Sequence, residues 1–210
     1  SRGIGAAIAE TLGRQGYRIA GTATSESGAQ AISERLQAAG IEGQGYTLDV
    51  TSPESIDQLM ADLKAADATP EVLINNAGIS QRSLIMETDE DVERQIMEVD
   101  YFAQTRLTRL ILPDMIAQGG GKIVMVSSVA GVLGTQYRGA YGAAKAALHM
   151  WANSLRAELH EQGIEVATIF PGFIQTNISI NALTGDGSAQ GTMDEATNNG
   201  LTATDFAKQV

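Results

Sequence analysis

Short apolar stretches alternate with longer amphipathic ones along this chain. The short stretches lie at 17–22, 44–50, 71–74, 123–126 and 164–170. Runs that are apolar almost throughout, such as those at 123–126 and 164–170, are typical of strands buried on both faces of a parallel sheet. We therefore predict parallel strands at all of these positions.

The stretches between the predicted strands carry apolar residues at helical spacing. Ile4, Ile8 and Leu12 form one such stripe, and Gly16 closes it. Further helices are predicted at 28–40, from Pro53 to before Pro70, at 89–118 and at 141–162. Regular alternation of strand and helix predicts the α/β class, with a Rossmann-type, doubly wound parallel sheet and helices on both faces.

The composition is that of a single domain without cysteine chemistry. A chain of 210 residues that is 43% hydrophobic can bury one sizeable core, so we expect one domain over 1–210. The absence of cysteine excludes disulfides, thiolate metal sites and cysteine nucleophiles. His149 and His160 are eleven residues apart and have no partner ligands, so no metal site is predicted.

The net charge and the hydropathy of the sequence limit the kinds of molecule that the protein is expected to bind. A net charge of −11 argues against nucleic-acid binding and against anionic membrane surfaces, although the acidity could also serve only solubility. No apolar run is long enough to span a membrane, and no signal peptide is recognisable. We expect a soluble cytoplasmic protein.

The stretch from Lys122 to Lys145 carries the strongest chemical signal. Its apolar run ends at two serines, and a glycine-rich connection leads from Ser128 to an alanine-rich helix that begins at Tyr141. Tyr141 and Lys145 are four residues apart and therefore share one helix face. A serine at a strand end can lean over the same cleft, which would bring a phenol, an ammonium and a hydroxyl together.

These three groups suit acid–base chemistry at a carbonyl. A lysine cation near a phenol favours the phenolate and makes it a better base near neutral pH. A serine hydroxyl can donate to a substrate oxygen while negative charge develops there. A hydride must come from elsewhere, which implies a nicotinamide cofactor. Taken alone, Tyr-x-x-x-Lys would be an ordinary pair on a helix surface.

The beginning of the chain indicates where such a cofactor could bind. Gly3 and Gly5 open a helix with small residues, so backbone N–H groups could approach a phosphate, although a plain glycine-rich helix start has the same pattern. The strand at 17–22 is not followed by the acidic residue that would bind the ribose of NAD. Arg2 and Thr24 suit a 2′-phosphate instead, so NADP(H) is preferred over NAD(H). Two points weigh against this preference: Arg2 could be a solvated surface charge, and Glu26 is nearby.

Together these features resemble the short-chain dehydrogenase/reductase family. The matching motifs occur in the family's order and are SRGIG (1–5), LDV (48–50), NNAG (75–78), PGFIQT (171–176) and the trio Ser128, Tyr141 and Lys145. The resemblance implies that Tyr141 is the general acid/base, that Lys145 assists it and holds the nicotinamide ribose, and that Ser128 polarises the carbonyl. The implied reaction is reversible hydride transfer between NADP(H) and a ketone or secondary alcohol.

The resemblance also implies a set of cofactor-binding residues. Asp49 and Val50 would contact the adenine, and Ile174 and Thr176 would reach the carboxamide and the diphosphate, although an Asp at a strand end could equally cap the next segment. The implied set is Ser1, Arg2, Gly3, Ile4, Gly5, Thr24, Asp49, Val50, Asn76, Ala77, Gly78, Tyr141, Lys145, Pro171, Gly172, Ile174 and Thr176.

The chain departs from the family at one candidate catalytic position and at both ends. Asp100 stands where the family usually has the asparagine that helps to hold the active-site lysine through a water. The backbone carbonyl at this position could still hold that water, or the added carboxylate could pair with Lys145 and weaken the effect on Tyr141. The first strand and a C-terminal strand and helix of the family are missing, so we expect a fragment of a longer chain that is not stable alone.

The substrate is less defined than the cofactor. Residues 1–57 resemble bacterial 3-oxoacyl-[acyl-carrier-protein] reductases, and the chain from about Ser80 onward resembles the dehydrogenase/reductase member 7 branch. The alternatives are a 3-oxoacyl thioester of fatty acid biosynthesis with acyl-carrier protein as partner, a steroid or retinoid carbonyl, or cofactor binding without turnover. By resemblance we expect a homotetramer or homodimer. The polar stretch 179–200 is either disordered or a mobile lid, which we favour.

Overall fold

A computed structural model describes residues 2–210. Helices and strands alternate, as the sequence predicts. The helices are α1 Gly3–Arg14, α2 Glu26–Ala38, α3 Pro53–Ala65, α4 Glu90–Met97, α5 Ala103–Ala117, α6 Gly139–Leu159, α7 Glu195–Asn198 and α8 Ala203–Ala207. The strands are β1 Ile19–Ala23, β2 Gly43–Thr47, β3 Val72–Asn75, β4 Gly121–Val126, β5 Ile164–Ile169, β6 Ile174–Gln175 and β7 Leu201–Thr202.

The chain divides into two compact units. The first unit contains the residues up to Ala66 together with Phe173–Thr176 and Ala196–Val210, and the second contains Asp67–Gly172 and Asn177–Glu195. In the first unit β1 pairs with β2, and β6 pairs with β7, both in parallel. In the second unit β3, β4 and β5 form a parallel sheet in that order.

The parallel α/β class is confirmed, but the predicted single sheet is present as shorter sheets. Each of β1 and β3 has a hydrogen-bonded partner strand on one edge, and no strand among the described residues pairs with its other edge. A sheet continues only where a further strand supplies backbone donors and acceptors to its free edge. Hydrogen-bonded strand pairing therefore ends at β1 in one sheet and at β3 in the other.

In the second unit, the core lies between the sheet and the two long helical segments. Ile123 and Met125 of β4 are fully buried, as are Ile96 of α4 and Leu148 of α6. These residues occupy the apolar positions from which the helices and strands were predicted. The alanine-rich face of α6 is likewise buried, because this face of the helix packs along β5.

The predicted long helix at 89–118 is one helical segment interrupted by a π turn. Residues Glu98–Phe102 form that turn between α4 and α5. A π turn inserts one residue into the helical repeat and commonly marks a functional site. No helix in 2–210 is long and apolar enough to cross a membrane.

Candidate active site

The candidate catalytic residues lie at the carboxyl edge of the sheet in the second unit. The register aligns Asn75 of β3 with Met125 of β4, and Met125 with Thr168 of β5. The segments that follow these strands therefore emerge at the same edge, where ligands bind in open parallel sheets. They contain the predicted NNAG, Ser127-Ser128 and Pro171-Gly172 positions.

Ser128 lies in a tight turn that packs against α6. Its Oγ accepts a hydrogen bond from Ala130 N–H at 3.2 Å at the start of a 3₁₀ turn, Val129–Gly131. The preceding Ser127 donates its hydroxyl to the carbonyl oxygen of Lys145 at 2.9 Å. An added Cβ at Gly131 would lie 2.8 Å from the Lys145 carbonyl carbon, so only glycine allows this approach. The turn thus fixes Ser128 beside the helix that carries Tyr141 and Lys145.

Tyr141 and Lys145 occupy consecutive turns of α6. The Lys145 Nζ lies 5.8 Å from the centroid of the Tyr141 ring, so the two side chains share one helix face as predicted. The ring is half-buried against Ile96, Ala140 and Ala144. Tyr141 thus packs against the core and keeps some exposure to solvent.

The Lys145 ammonium is buried and has acceptors on two other elements. Its Nζ donates to the Val126 carbonyl at 3.2 Å and lies 3.1 Å from the Asp100 Oδ2. The two side chains are 4% and 0% exposed, so this is a buried ion pair. The Asp100 Oδ1 accepts a further hydrogen bond from Ile79 N–H at 2.8 Å.

Burial raises the pKa of Asp100, while the Lys145 charge and the Ile79 N–H act in the opposite direction. Of the two outcomes expected for Asp100, the structure therefore shows the pairing with Lys145. The π turn carries Asp100, and sequence periodicity gave no signal for that turn.

The NNAG segment is fastened to α5 and faces the ion pair. Asn75 donates to Thr108 Oγ1 at 2.9 Å, and Gln104 donates to the Ala77 carbonyl at 2.7 Å. An added Cβ at Gly78 would lie 3.2 Å from Lys145 Nζ. Asn76 is half-buried, whereas Ala77 and Gly78 are exposed at this edge. The backbone of this segment is open to a ligand.

In the first unit, the candidate phosphate site lies at the start of α1. Gly3 has φ +58°, and an added Cβ there would lie 3.2 Å from the Thr176 Cγ2, so the structure brings these two predicted residues together. The first turn contains Gly3, Ile4 and Gly5 and has no acidic residue, and Arg2 precedes it in an extended conformation. This small, electropositive helix start fits a phosphate. Ser1 lies outside the described residues.

The other predicted cofactor-binding residues of the first unit differ in their exposure and in their hydrogen bonds. Thr24 is exposed at the end of β1, whereas Ser25 caps α2 by accepting from Gly28 N–H at 3.1 Å. Asp49 accepts from the N–H and hydroxyl of Thr51 at 2.9 and 2.7 Å, and these hydrogen bonds lower the pKa of Asp49. Its carboxylate thus stabilises the turn before α3, which was the local alternative to adenine contact.

Four further predicted positions differ in their exposure to solvent. Val50 is half-buried, and Ile174 is buried with its backbone paired in β6. In the second unit, Pro171 is buried and accepts from Val129 N–H at 3.1 Å, and Gly172 after it is exposed.

The 177–194 segment is neither a helix nor a strand, yet it is well hydrogen-bonded. Leu183 pairs its backbone with Ser80 and Arg82, and Gly185 accepts from Asp89 N–H at 2.9 Å. Side chains fasten it as well, since Asp194 pairs with Arg138 and Arg82. Sequence reasoning missed this group because its members lie far apart in the chain and belong to no motif.

Comparison with solved structures identifies the fold. A short-chain dehydrogenase from Streptomyces avermitilis is 31% identical with a TM-score of 0.82, covering 99% of this chain and 79% of that one. A gluconate 5-dehydrogenase from Burkholderia cenocepacia J2315, solved with NADP and tartrate, has a TM-score of 0.86 at 22% identity and shows the fold alone. The fold is that of the Rossmann-type dehydrogenases.

Sequence comparison then defines the family. The family model described as short chain dehydrogenase matches residues 1–186, and the chain belongs to this family of nicotinamide-dependent oxidoreductases. Mouse dehydrogenase/reductase SDR family member 7B is 36% identical over 213 residues, 99% of this chain and 66% of that protein. The 3-oxoacyl-[acyl-carrier-protein] reductase FabG of Escherichia coli K12 is 40% identical over 179 residues, 85% of this chain and 72% of that protein.

The chain is shorter than the proteins it resembles. Member 7B of Danio rerio is 41% identical over 164 residues, which are 78% of this chain and 53% of that protein. The chain therefore spans between about half and two thirds of the member 7B relatives.

Proposed function

We propose that this chain carries the catalytic centre of an oxidoreductase that transfers hydride reversibly between NADP(H) and a ketone or secondary alcohol. The observation that carries the proposal is the arrangement of Tyr141 and Lys145 on one face of α6, with Ser128 held against that helix. These residues lie at the carboxyl edge of a parallel sheet, in a chain of the short-chain dehydrogenase family.

In the reducing direction, a nicotinamide cofactor held at this site would supply the hydride to the carbonyl carbon. The electron pair of the C=O π bond moves to oxygen, and the Tyr141 hydroxyl donates its proton to that oxygen. Lys145 stabilises the phenolate that remains, and Ser128 donates a hydrogen bond to the oxygen as its charge develops. In the oxidising direction the Tyr141 phenolate removes the alcohol proton.

The cofactor preference is for NADP(H) over NAD(H). It is supported by Arg2 beside the glycine turn, by the exposed Thr24 at the end of β1, and by the absence of an acidic residue in 22–25. We assign the phosphates to Arg2, Gly3, Ile4, Gly5 and Thr176. We assign other parts of the cofactor to Asp49, Val50, Asn76, Ala77, Gly78, Pro171, Gly172 and Ile174.

We expect Arg2→Gln to lower kcat/KM for NADPH about tenfold or more, the loss expected for a charge-assisted hydrogen bond, and to leave kcat/KM for NADH nearly unchanged. Arg18→Gln is the matched control, because Arg18 is an exposed arginine paired only loosely with Glu42 at 3.7 Å. Steady-state kinetics with both cofactors measure the difference. Comparable catalytic efficiency of the unaltered protein with NADH would overturn the preference.

The substrate class includes 3-oxoacyl thioesters. The support is a relative whose name gives that activity, at 40% identity, and acyl-carrier protein would then be a partner in fatty acid biosynthesis. Steroid or retinoid ketones are the alternative. Oxidation of NADPH by the full-length protein, with a panel of simple ketones, 3-oxoacyl thioesters and steroid ketones, decides between the classes.

A second candidate function is cofactor binding without turnover. The buried ion pair between Asp100 and Lys145 favours it, because the carboxylate neutralises the charge that would support Tyr141. In that case NADPH would bind, no ketone in the panel would be reduced, and Asp100→Asn would create activity. Turnover by the unaltered protein rejects this candidate.

We also propose a homodimer or homotetramer. Phe102, Leu110 and Met150 are apolar residues on the long helices with 48%, 42% and 64% exposure, which would fall on association. Light scattering of the full-length protein measures the mass.

A further inference from the structure

Outside the catalytic trio, one carboxylate of the second unit is enclosed by donors. Asp194 is only 10% exposed, and its Oδ2 lies 2.7 Å from the Arg138 Nη2. The Arg82 Nε lies 3.3 Å from Oδ1, and Gln190 donates to the same oxygen at 3.1 Å. Two guanidinium groups therefore share one largely buried carboxylate, and of the two only that of Arg138 is itself largely buried.

The Arg138 side chain joins three stretches of the unit. Besides Asp194 in the 177–194 segment, its Nη1 donates to Ser80 Oγ at 2.6 Å and to the Gln81 carbonyl at 3.0 Å, in the loop after β3. The planar fork of an arginine holds such partners in a fixed direction. Because the side chain is 15% exposed, few other positions are open to it.

Arg138 is also the residue from which α6 begins. It is the N-cap of the helix, and its carbonyl accepts from Gly142 N–H at 2.7 Å, so its position sets the first turn, which contains Tyr141. Burial lowers the pKa of Arg138, Arg82 lowers it further, and Asp194 and Tyr141 oppose the shift. Asp194 and Tyr141 thus both interact electrostatically with the Arg138 guanidinium.

We propose that Asp194 is a positioning residue for Tyr141: by pairing with Arg138 and Arg82, it fastens the 177–194 segment to the first turn of α6 and holds the phenol in its reactive orientation. Without the carboxylate, the largely buried Arg138 guanidinium and the partly exposed Arg82 guanidinium face one another with like charge, and they separate. The segment and the first turn of α6 then loosen together. The proposal rests on the proposed function of Tyr141.

The test compares Asp194→Asn with Asp186→Asn in the full-length protein. Asp186 is an exposed aspartate of the same segment whose Oδ1 accepts only from Thr184 and Ser188, so it is a matched control. We expect Asp194→Asn to lower kcat about ten- to hundredfold, as small displacements of a reacting group do, with the dissociation constant for NADPH unchanged. Hydrogen exchange should accelerate at 180–190 and at 139–143, and the control should show neither effect.

Removing the Arg82 charge as well should reverse the loss of kcat caused by Asp194→Asn. In Arg82→Gln/Asp194→Asn only one guanidinium remains, and the amide introduced at position 194 can accept from it, so kcat and exchange should return toward the values of Arg82→Gln alone. If Asp194→Asn does not fold, Arg138→Lys replaces it, because an ammonium lacks the fork that reaches Asp194, Ser80 and Gln81 together.

Two results would overturn the inference. One is a kcat of Asp194→Asn, or of Arg138→Lys, equal to that of the unaltered protein. The other is faster exchange at 180–190 with unchanged exchange at 139–143, which would mean that the segment is tethered but is not coupled to Tyr141. If no substrate is turned over at all, the proposed function fails, and exchange at 139–143 still decides whether Asp194 is coupled to this turn.

Discussion

Lys145 is the residue on which the chemistry of the candidate site depends most, and its partners include a carboxylate. A lysine that supports a phenolate contributes through its positive charge, and at 3.1 Å the Asp100 carboxylate offsets part of that charge. The Val126 carbonyl and the Asp100 carboxylate hold the ammonium in place from two elements. Asp100 thereby orders Lys145 and weakens its electrostatic effect.

Asp100→Asn is expected to move the pH dependence of alcohol oxidation. The amide keeps the acceptor for Ile79 N–H but removes the negative charge 3.1 Å from the Lys145 ammonium, so Lys145 supports the phenolate more strongly and the phenolate forms at lower pH. The lower limb of kcat/KM against pH should shift to lower pH, measured with NADP and a secondary alcohol that the panel has identified. A limb that stays in place or moves to higher pH would contradict this view of the pair.

The sequence alone pointed to Asp100 and to Lys145 as a possible partner, but it did not decide whether the two residues are in contact. The resemblance marked the position as a departure and left two outcomes open, since the distance between residues 100 and 145 depends on how α5, α6 and the sheet pack. The Asp194 group was not predicted at all. Its three charged members come from separate loops, and no local pattern connects them.

At the scale of elements, the close approach of the Val129–Gly131 turn to α6 aligns the serine with the helix. The approach requires glycine on both sides: an added Cβ at Gly142 would lie 2.8 Å from the Ala130 carbonyl oxygen, and one at Gly131 would lie 2.9 Å from the Lys145 Cβ. Backbone packed this tightly leaves Ser128 little freedom.

Gly131→Ala should separate the turn from α6. The added methyl group overlaps the helix backbone, so we expect the free energy of unfolding to fall by about 1–3 kcal/mol and kcat to fall with it. Gly134→Ala is the control, because an added Cβ there meets nothing within 4 Å. Denaturant unfolding and initial rates measure both effects. If Gly131→Ala and Gly134→Ala have the same free energy of unfolding and the same kcat, the turn does not need its close contact with α6.

Most helices and strands could be predicted because the residue patterns that indicate them are local in the sequence. Apolar periodicity located the helices and strands to within a few residues, and Ser52 with Pro53 marked the start of α3. The predicted helix at 141–162 begins earlier, at Gly139, because a glycine carries no apolar signal. The π turn was missed, since its extra residue only shifts the helical repeat by one position.

At the scale of the whole molecule, the α/β class followed from the order of the elements, but the extent of pairing did not. Strand pairing is a long-range property, and no residue pattern in 17–22 or 71–74 reveals whether both edges of a strand find partners. The similarity to a solved short-chain dehydrogenase, with a TM-score of 0.82 over 99% of the chain, confirms the Rossmann-type fold.

The central claim is that the Tyr141 hydroxyl is the proton donor and acceptor for a hydride transfer. The most direct measurement compares turnover and cofactor binding in the unaltered full-length protein and in Tyr141→Phe, using NADPH fluorescence for binding and NADPH oxidation for turnover. The account predicts a loss of turnover of about a hundredfold or more, the scale of general acid catalysis, with the dissociation constant for NADPH nearly unchanged. A Tyr141→Phe variant that reduces the substrate at the rate of the unaltered protein would contradict it.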